Sequence, residues 1–354
     1  MKVRIFTKSD WNEPPRIRHQ FANLMNDNGH DVVFYQKPKY LVSERALVND
    51  ESTELRRTAQ LIHHQLRLGG ILSALNAAYE IRSINRNTQD VNSDDLIVNF
   101  NYDYFFLRDV FPDNKIITII NDDFVAQSRF FDGKYAGIAL EKTCRISDVV
   151  LCVSYPLCDQ VRAWSSPKLF LPWSAERYEY PETTNRTAVL LWAHINNRID
   201  FDLVRFAASN NRSIDLHLIG PVSEAVSSEV RRLDQDFDNV VLVAAMPLTE
   251  IDFTKYFAAI IPYKSGKKEI EAVSASNKTF QLLGKGMPLV ISGMPSFIQS
   301  RAIRQTATKE EFLEAIEFCK RDFYRLQDSV RDLVSENGAH DRYRQFMDIV
   351  ESLE

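Results

Sequence analysis

Short apolar runs rich in β-branched residues alternate with longer stretches of helical period along the whole chain, and this alternation is the tightest constraint on its fold. Strands buried on both faces read as continuous apolar runs, and helices between them make parallel α/β units. In the first half, strands are expected at Val3 to Thr7, Asp31 to Tyr35, Leu96 to Phe100, Ile116 to Ile120 and Val149 to Val153. A helix over Ile17 to Asn28, closed by Asn28-Gly29 as a C-cap, makes the first crossover a βαβ unit. A second series runs through Ala188 to Trp192, Asp215 to Ile219, Val240 to Val243, Ala258 to Pro262 and Pro288 to Ser292. Between the series, LPWSAERYEYPETTNR is rich in Pro, Glu and Thr, poor in aliphatics, and reads as a linker. The expected class is α/β, with two Rossmann-like doubly wound domains, 1–173 and 174–339, facing a central cleft in which ligands bind.

A chain of 354 residues is long for one core, which fits two domains. Its net charge of -5 argues against general nucleic-acid binding, which usually shows a basic face. Cys144, Cys152, Cys158 and Cys319 have neither CxxC spacing nor the density of a disulfide scaffold, so reduced thiols and a cytoplasmic location are expected, with no metal assigned. The N-terminal MKVRIFTKSDW breaks its apolar run with charge and does not read as a signal peptide. No segment reaches the roughly eighteen apolar residues that span a bilayer, so any membrane contact is expected from the surface, on the inner face of the cytoplasmic membrane.

The stretch SASNKTFQLLGKGMPLVISG, from Ser274 to Gly293, places a lysine at a helix start, ends that helix at Gly-x-Gly-x-Pro and runs into an apolar strand. A helix N-terminus gathers free N–H groups and the positive end of the macrodipole, so a cation there is opposed unless an anion such as a diphosphate compensates it. Lys278 is therefore a candidate diphosphate ligand, with Gln281 one turn later on the same face and Ser276 and Asn277 opening the helix. A solvated first-turn lysine is the plainer alternative.

Tandem Rossmann-like domains with this helix late in the second resemble the GT-B glycosyltransferases, and the resemblance covers nearly the whole chain. PPRIRHQFANLMNDNGHDVVFY resembles the first loop and helix, and EKTCRISDVVLCVSYPL the helix and strand near the end of the N-terminal domain. LLWAHINNRIDFDLVRFAASNNRSIDLHLIGP resembles the opening of the donor domain, and NVVLVAAMPLTEIDFTKYFAAIIPYKSG the part before the nucleotide-binding helix. The resemblance implies that Lys278 meets the diphosphate of a nucleotide-sugar donor, which is a substrate, so that no cofactor is needed. It also implies a last helix, over 340–354, that returns to the N-terminal domain, with Phe346, Ile349, Val350 and Leu353 as its buried stripe. Many retaining members carry two glutamates eight positions apart here; this chain has Val273 and Gln281, with Glu271 out of register as a weaker ribose ligand.

An inverting transfer needs a general base for the acceptor hydroxyl. KIITIINDDFVAQ puts Asp122 and Asp123 just beyond a strand's C-terminal end, where open α/β sheets bind ligands. This segment resembles the Asp-bearing one of inverting bacterial GT-B enzymes, including the glucuronosyltransferase of xanthan assembly. Either aspartate could be the base and either could cap a helix, with Asp122 slightly favoured. In the first loop, Asp10, Trp11, Glu13, Arg16 and His19 could read an acceptor sugar, Pro14-Pro15 would stiffen the turn, and Arg16, Arg18 and His19 have a solvated or capping alternative.

On the donor side, Asn197 and Arg198 follow the first strand, Asp200 is placed as a helix cap, Tyr263 and Lys264 end a strand, and the backbone near Met246 could hold the base. From Glu54 to Arg86, helical periodicity interleaved with Arg56, Arg57, Arg67, Arg82 and Arg86 suggests either a basic membrane-facing helix or an ordinary packed one. The leading expectation is a glycosyltransferase acting on a carbohydrate or lipid-linked acceptor, inverting, in bacterial surface-polysaccharide assembly. Its alternatives are a sugar-nucleotide epimerase of the same architecture and a non-catalytic nucleotide-sugar-binding subunit. Oligomeric state is not legible.

Overall fold

The computed structural model describes residues 1–13, 16–41, 44–50, 53–62, 70–128, 133–174, 177–179, 185–273, 276–295 and 298–353, with backbone alone at 44–50, 70, 71 and 277. Two compact units emerge, Met1–Leu171 with Arg342–Glu354, and Pro172–Asp341.

The first unit runs β1 (Lys2–Phe6), α1 (Ile17–Asp27), β2 (Asp31–Tyr40), β3 (Glu44–Asp50), β4 (Thr53–Gln60), α2 (Gly70–Asn87), β5 (Leu96–Asn99), α3 (Leu107–Val110), β6 (Ile116–Ile120), α4 (Gly133–Ile146), β7 (Val149–Cys152), α5 (Tyr155–Val161) and β8 (Lys168–Leu169). Its sheet order is β3-β4-β2-β1-β5-β6-β7-β8, parallel except for the β3–β4 pair. Chain order reverses between β1 and β5, which makes their C-terminal ends the natural ligand edge. Every residue of β5 and β6 is buried, as central parallel strands covered on both faces require.

The second unit runs β9 (Ala188–Trp192), α6 (Phe201–Asn210), β10 (Asp215–Ile219), α7 (Ser227–Asp236), β11 (Val240–Val243), β12 (Tyr256–Pro262), α8 (Lys268–Glu271), α9 (Asn277–Gly284), β13 (Leu289–Ser292), β14 (Ile303–Thr306), α10 (Lys309–Glu336) and α11 (Ala339–Glu351). Its parallel sheet has the order β11-β10-β9-β12-β13-β14, with the reversal between β9 and β12. The part of α11 from Arg342 onward belongs to the first unit, where the fully buried Phe346 ring lies 4.8 Å from Phe21 and 6.0 Å from Phe170, centroid to centroid.

One expected helix is not there. Residues 53–60 form β4, which pairs parallel with β2, and among the described residues of this stretch only Gly70–Asn87 is helical; the strand wins at 53–60 because β2 supplies pairing partners that the local sequence does not show. Arg56 lies 2.6 Å from both Asp90 and Glu54, and Arg57 lies 2.6 Å from Asp10, so these cations are held by carboxylates rather than arrayed on a helix. Arg82 and Arg86 are exposed on α2, and Arg67 lies outside the described residues. Among the described residues no helix is long and apolar enough to cross a membrane.

Candidate functional site

The loops that leave β9 and β12 at the second sheet's reversal are stitched together by main-chain bonds, from Asp200 N–H to Pro262 (2.8 Å) and from Lys264 N–H to Arg198 (2.9 Å). Asp200 caps α6 by accepting from the N–H groups of Asp202 and Leu203. This frame carries Arg198, Lys264 and Lys267 on its two loops, with Arg198 near Tyr263, whose hydroxyl accepts from Lys278 in the first turn of α9 at 2.9 Å. None of these four cations forms an ion pair with a described residue; Lys267 reaches only the Asn197 carbonyl, at 3.3 Å. No acidic side chain lies in the first turn of α9. Burial alone would push the Tyr263 phenol up, but Lys278 and Arg198 more than offset it, and the net shift is downward. Positive potential therefore accumulates at a helix N-terminus on a topological switch point, a ready anion site.

Two glycines fix this geometry. Gly286 adopts φ 73° just past α9, where its N–H bonds Leu283 and that of Met287 bonds Leu282, the closure that ends the helix and launches β13. Gly293, at φ 74°, ends β13 against Tyr263, and a Cβ there would sit 1.9 Å from the Tyr263 carbonyl oxygen.

Other donor-side candidates divide. Ser276 is the N-cap residue of α9, but its hydroxyl pairs with that of Thr279 at 3.1 Å instead of capping the backbone. Gln281 is partly buried one turn on, Asn277 opens the helix with its side chain outside the described residues, and Ser274 and Ala275 lie outside them. Glu271 is exposed at the end of α8. The Met246 carbonyl accepts from the Trp192 indole at 3.2 Å, at the end of β9.

In the first unit the two aspartates after β6 differ sharply. Asp123 accepts at Oδ1 from the N–H groups of Val125 (3.1 Å) and Ala126 (2.9 Å) and from the Gln160 amide (3.0 Å), so that oxygen caps the turn and fixes the side chain in place. Among the described residues Asp122 accepts side-chain amides alone, Asn121 at Oδ2 (2.9 Å) and Gln127 at Oδ1 (3.0 Å); they orient it without a backbone cap, and each oxygen keeps a lone pair for a substrate proton.

The first loop is built largely for rigidity. His19 accepts the Arg16 N–H at Nδ1 (3.0 Å) and donates from Nε2 to the Asp10 carbonyl (3.0 Å), a neutral tautomer with both nitrogens engaged, and burial lowers its pKa. Asp10 is bound to Arg57, Arg16 pairs with Glu13 at 3.5 Å, and Trp11 packs edge-on against Phe34 at 4.9 Å. His19 and Asp10 are therefore structural, while Glu13 and Trp11 remain partly open to solvent; Pro14 and Pro15 lie outside the described residues.

Sequence reasoning missed a second feature of this edge. The buried Ser9 Oγ, Asn101 Nδ2, Asn121 Oδ1, Gln160 Oε1 and Arg18 Nε have no hydrogen-bond partner among the described residues. They follow β1, β5 and β6 or lie on α1 and α5, and each such orphan costs roughly 1–3 kcal/mol, so their gathering at one sheet edge fits a polyhydroxylated ligand. Arg18 alone carried a signal: it falls three and four positions before Phe21 and Ala22, on the apolar stripe of α1 rather than on its wet face.

Two parallel-sheet units, each with its reversal edge and the second with a cationic helix start, constitute the GT-B fold of glycosyltransferases. Solved structures with this fold match over the full length. The sucrose-phosphate synthase of Thermosynechococcus elongatus is 12% identical with a TM-score of 0.76, covering 99% of this chain and 98% of that one. WaaG, a glycosyltransferase involved in lipopolysaccharide biosynthesis, is 12% identical at 0.69, covering 99% of each chain. Anabaena HepE, solved with UDP and glucose, is 10% identical at 0.69, again covering 99% of each. No protein-family model and no curated protein matches the sequence.

Proposed function

We propose that this chain transfers a sugar from a nucleoside-diphosphate sugar to a carbohydrate or lipid-linked acceptor. The observation that carries the reading is Lys278 in the first turn of α9 with Arg198 beside the same Tyr263 and Lys264 and Lys267 on the adjoining loops, none of them in an ion pair with a described residue, a charge arrangement that calls for a diphosphate. UDP is the first nucleotide to test, because HepE binds it on the same fold. As the bond to the anomeric carbon breaks, negative charge grows on the leaving diphosphate; Lys278 and the α9 N–H groups stabilise it, a task a metal ion performs elsewhere. Asp122, oriented by Asn121 and Gln127, takes the acceptor hydroxyl's proton as that oxygen attacks, and a single displacement inverts the anomeric configuration. The polysaccharide setting is supported by WaaG, whose own role is in lipopolysaccharide biosynthesis.

The test is release of nucleoside diphosphate from a panel of sugar nucleotides by purified protein, with the anomeric configuration of any product read by NMR. Diphosphate release that disappears in Lys278→Ala supports transfer. A sugar nucleotide that binds and is returned intact marks a binding subunit, and one returned with an epimerised sugar or as free glycal marks an epimerase. Retained configuration would remove Asp122 as the base.

A further inference from the structure

Arg18, in the first turn of α1, is only 6% exposed; its Nε is buried without a hydrogen-bond partner, and its guanidinium makes no ion pair or hydrogen bond among the described residues. The chain treats another buried arginine quite differently. Arg4 is bound by Asp95 at Nε (2.6 Å), Tyr35 at Nη1 (3.2 Å) and Asp90 at Nη2 (3.1 Å). An unpaired buried cation is expensive and is retained only where something offsets it.

The surroundings of Arg18 point to what offsets it. Burial pulls its pKa down to about 10, Arg16 acts in the same direction, and the charges of Asp122 and Glu13 oppose both without forming an ion pair with it. Arg18 therefore lies within electrostatic reach of the candidate base, on the helix that follows β1, and so near the edge where other orphaned polar atoms gather. It also rides on an eleven-residue helix with no acidic side chain in its first turn, so the positive helix end adds to its charge. A planar guanidinium is suited to a two-oxygen anion such as phosphate or carboxylate.

We propose that Arg18 is a specificity residue for an acidic acceptor, in which a phosphate or carboxylate carried by the acceptor sugar docks on the guanidinium at the start of α1 while the reacting hydroxyl turns to Asp122. This rests on the glycosyltransferase reading for its purpose, but the anion site is measured separately. Repulsion between the acceptor's anion and Asp122 then helps to orient the sugar, with anion and hydroxyl directed apart.

The experiment is thermal unfolding of Lys278→Ala, which weakens the anion response of the donor helix, against the same protein also carrying Arg18→Met or Arg18→Lys. The probes are inorganic phosphate, glucose 6-phosphate, glucuronate and, as neutral control, glucose. At least one anionic probe should raise the Tm of the protein that keeps Arg18 by about 2 °C or more above its shift in the Arg18→Met protein, with an intermediate response in the Arg18→Lys protein. Glucose should not distinguish them. A response to glucose 6-phosphate assigns a phosphorylated acceptor, and one to glucuronate an acidic sugar. Anionic probes that shift all three proteins equally, or shift none of them, overturn the proposal. If the Arg18→Met protein does not fold, the Arg18→Lys protein decides alone, and an undiminished response in it overturns the proposal. Failure of the glycosyltransferase reading would appear elsewhere, as absence of Lys278-dependent UDP binding and of diphosphate release in the otherwise unaltered chain.

Discussion

Lys278, Asp122 and Asp123 carry tasks that single substitutions separate. Lys278→Ala should weaken UDP binding by roughly 10- to 150-fold, about 1.5–3 kcal/mol for a charge-assisted contact, measured by calorimetry. Asp122→Asn keeps the amide-held shape but cannot take a proton, so turnover should fall by about two to four orders of magnitude with UDP affinity unchanged. Asp123→Ala should instead cost stability, about 1 kcal/mol for a lost turn cap, seen as a lower Tm. Gly293→Ala should lower both stability and UDP affinity, because relieving the 1.9 Å clash displaces the Tyr263 backbone and with it the partner of Lys278. At this scale the sequence displayed Lys278 plainly, since a cation at a helix start contradicts the dipole. It could not separate two adjacent aspartates, whose difference lies in Gln127 and Gln160, brought to them by the fold.

Elements were legible where one apolar run meets one rule. Ile116–Ile120, Ala188–Trp192 and Asp215–Ile219 are strands over the expected residues, because an interior parallel strand needs its side chains largely apolar, and Val240–Val243 is one too, though at the sheet edge. β4 was not legible: its TELRRTAQ reads as a polar helical turn until β2 and the carboxylates of Asp10 and Asp90 are beside it. The last helix offers a test at this scale. Phe346→Ala should cost about 3–5 kcal/mol by opening a cavity between Phe21 and Phe170, lowering the Tm, while UDP affinity, proposed to reside on the second unit, is retained.

For the whole molecule, acid is the informative variable. Burial lowers the pKa of His19, His30 and His217 below the ordinary 6.5. As pH falls below that value the unfolded chain binds protons that the folded chain refuses, so stability is full above it and declines as pH drops toward the folded values. The Tm should fall on acidification from pH 7, and His19→Gln should flatten part of that slope.

The sequence by itself determined the alternation of strands and helices, the helix that starts with Lys278 and the glycines that end it, because each of these depends on neighbours within a few positions. Tertiary structure alone decided which charges are spent and which are free. Arg56, Arg57 and Asp123 look as available as Arg198, Arg18 and Asp122 along the chain, yet the first three are bound by partners from other elements and, among the described residues, the last three are not held by an opposite charge or a backbone cap. A group's availability depends on what the fold brings within about 4 Å of it, and that distance is unrelated to separation in sequence.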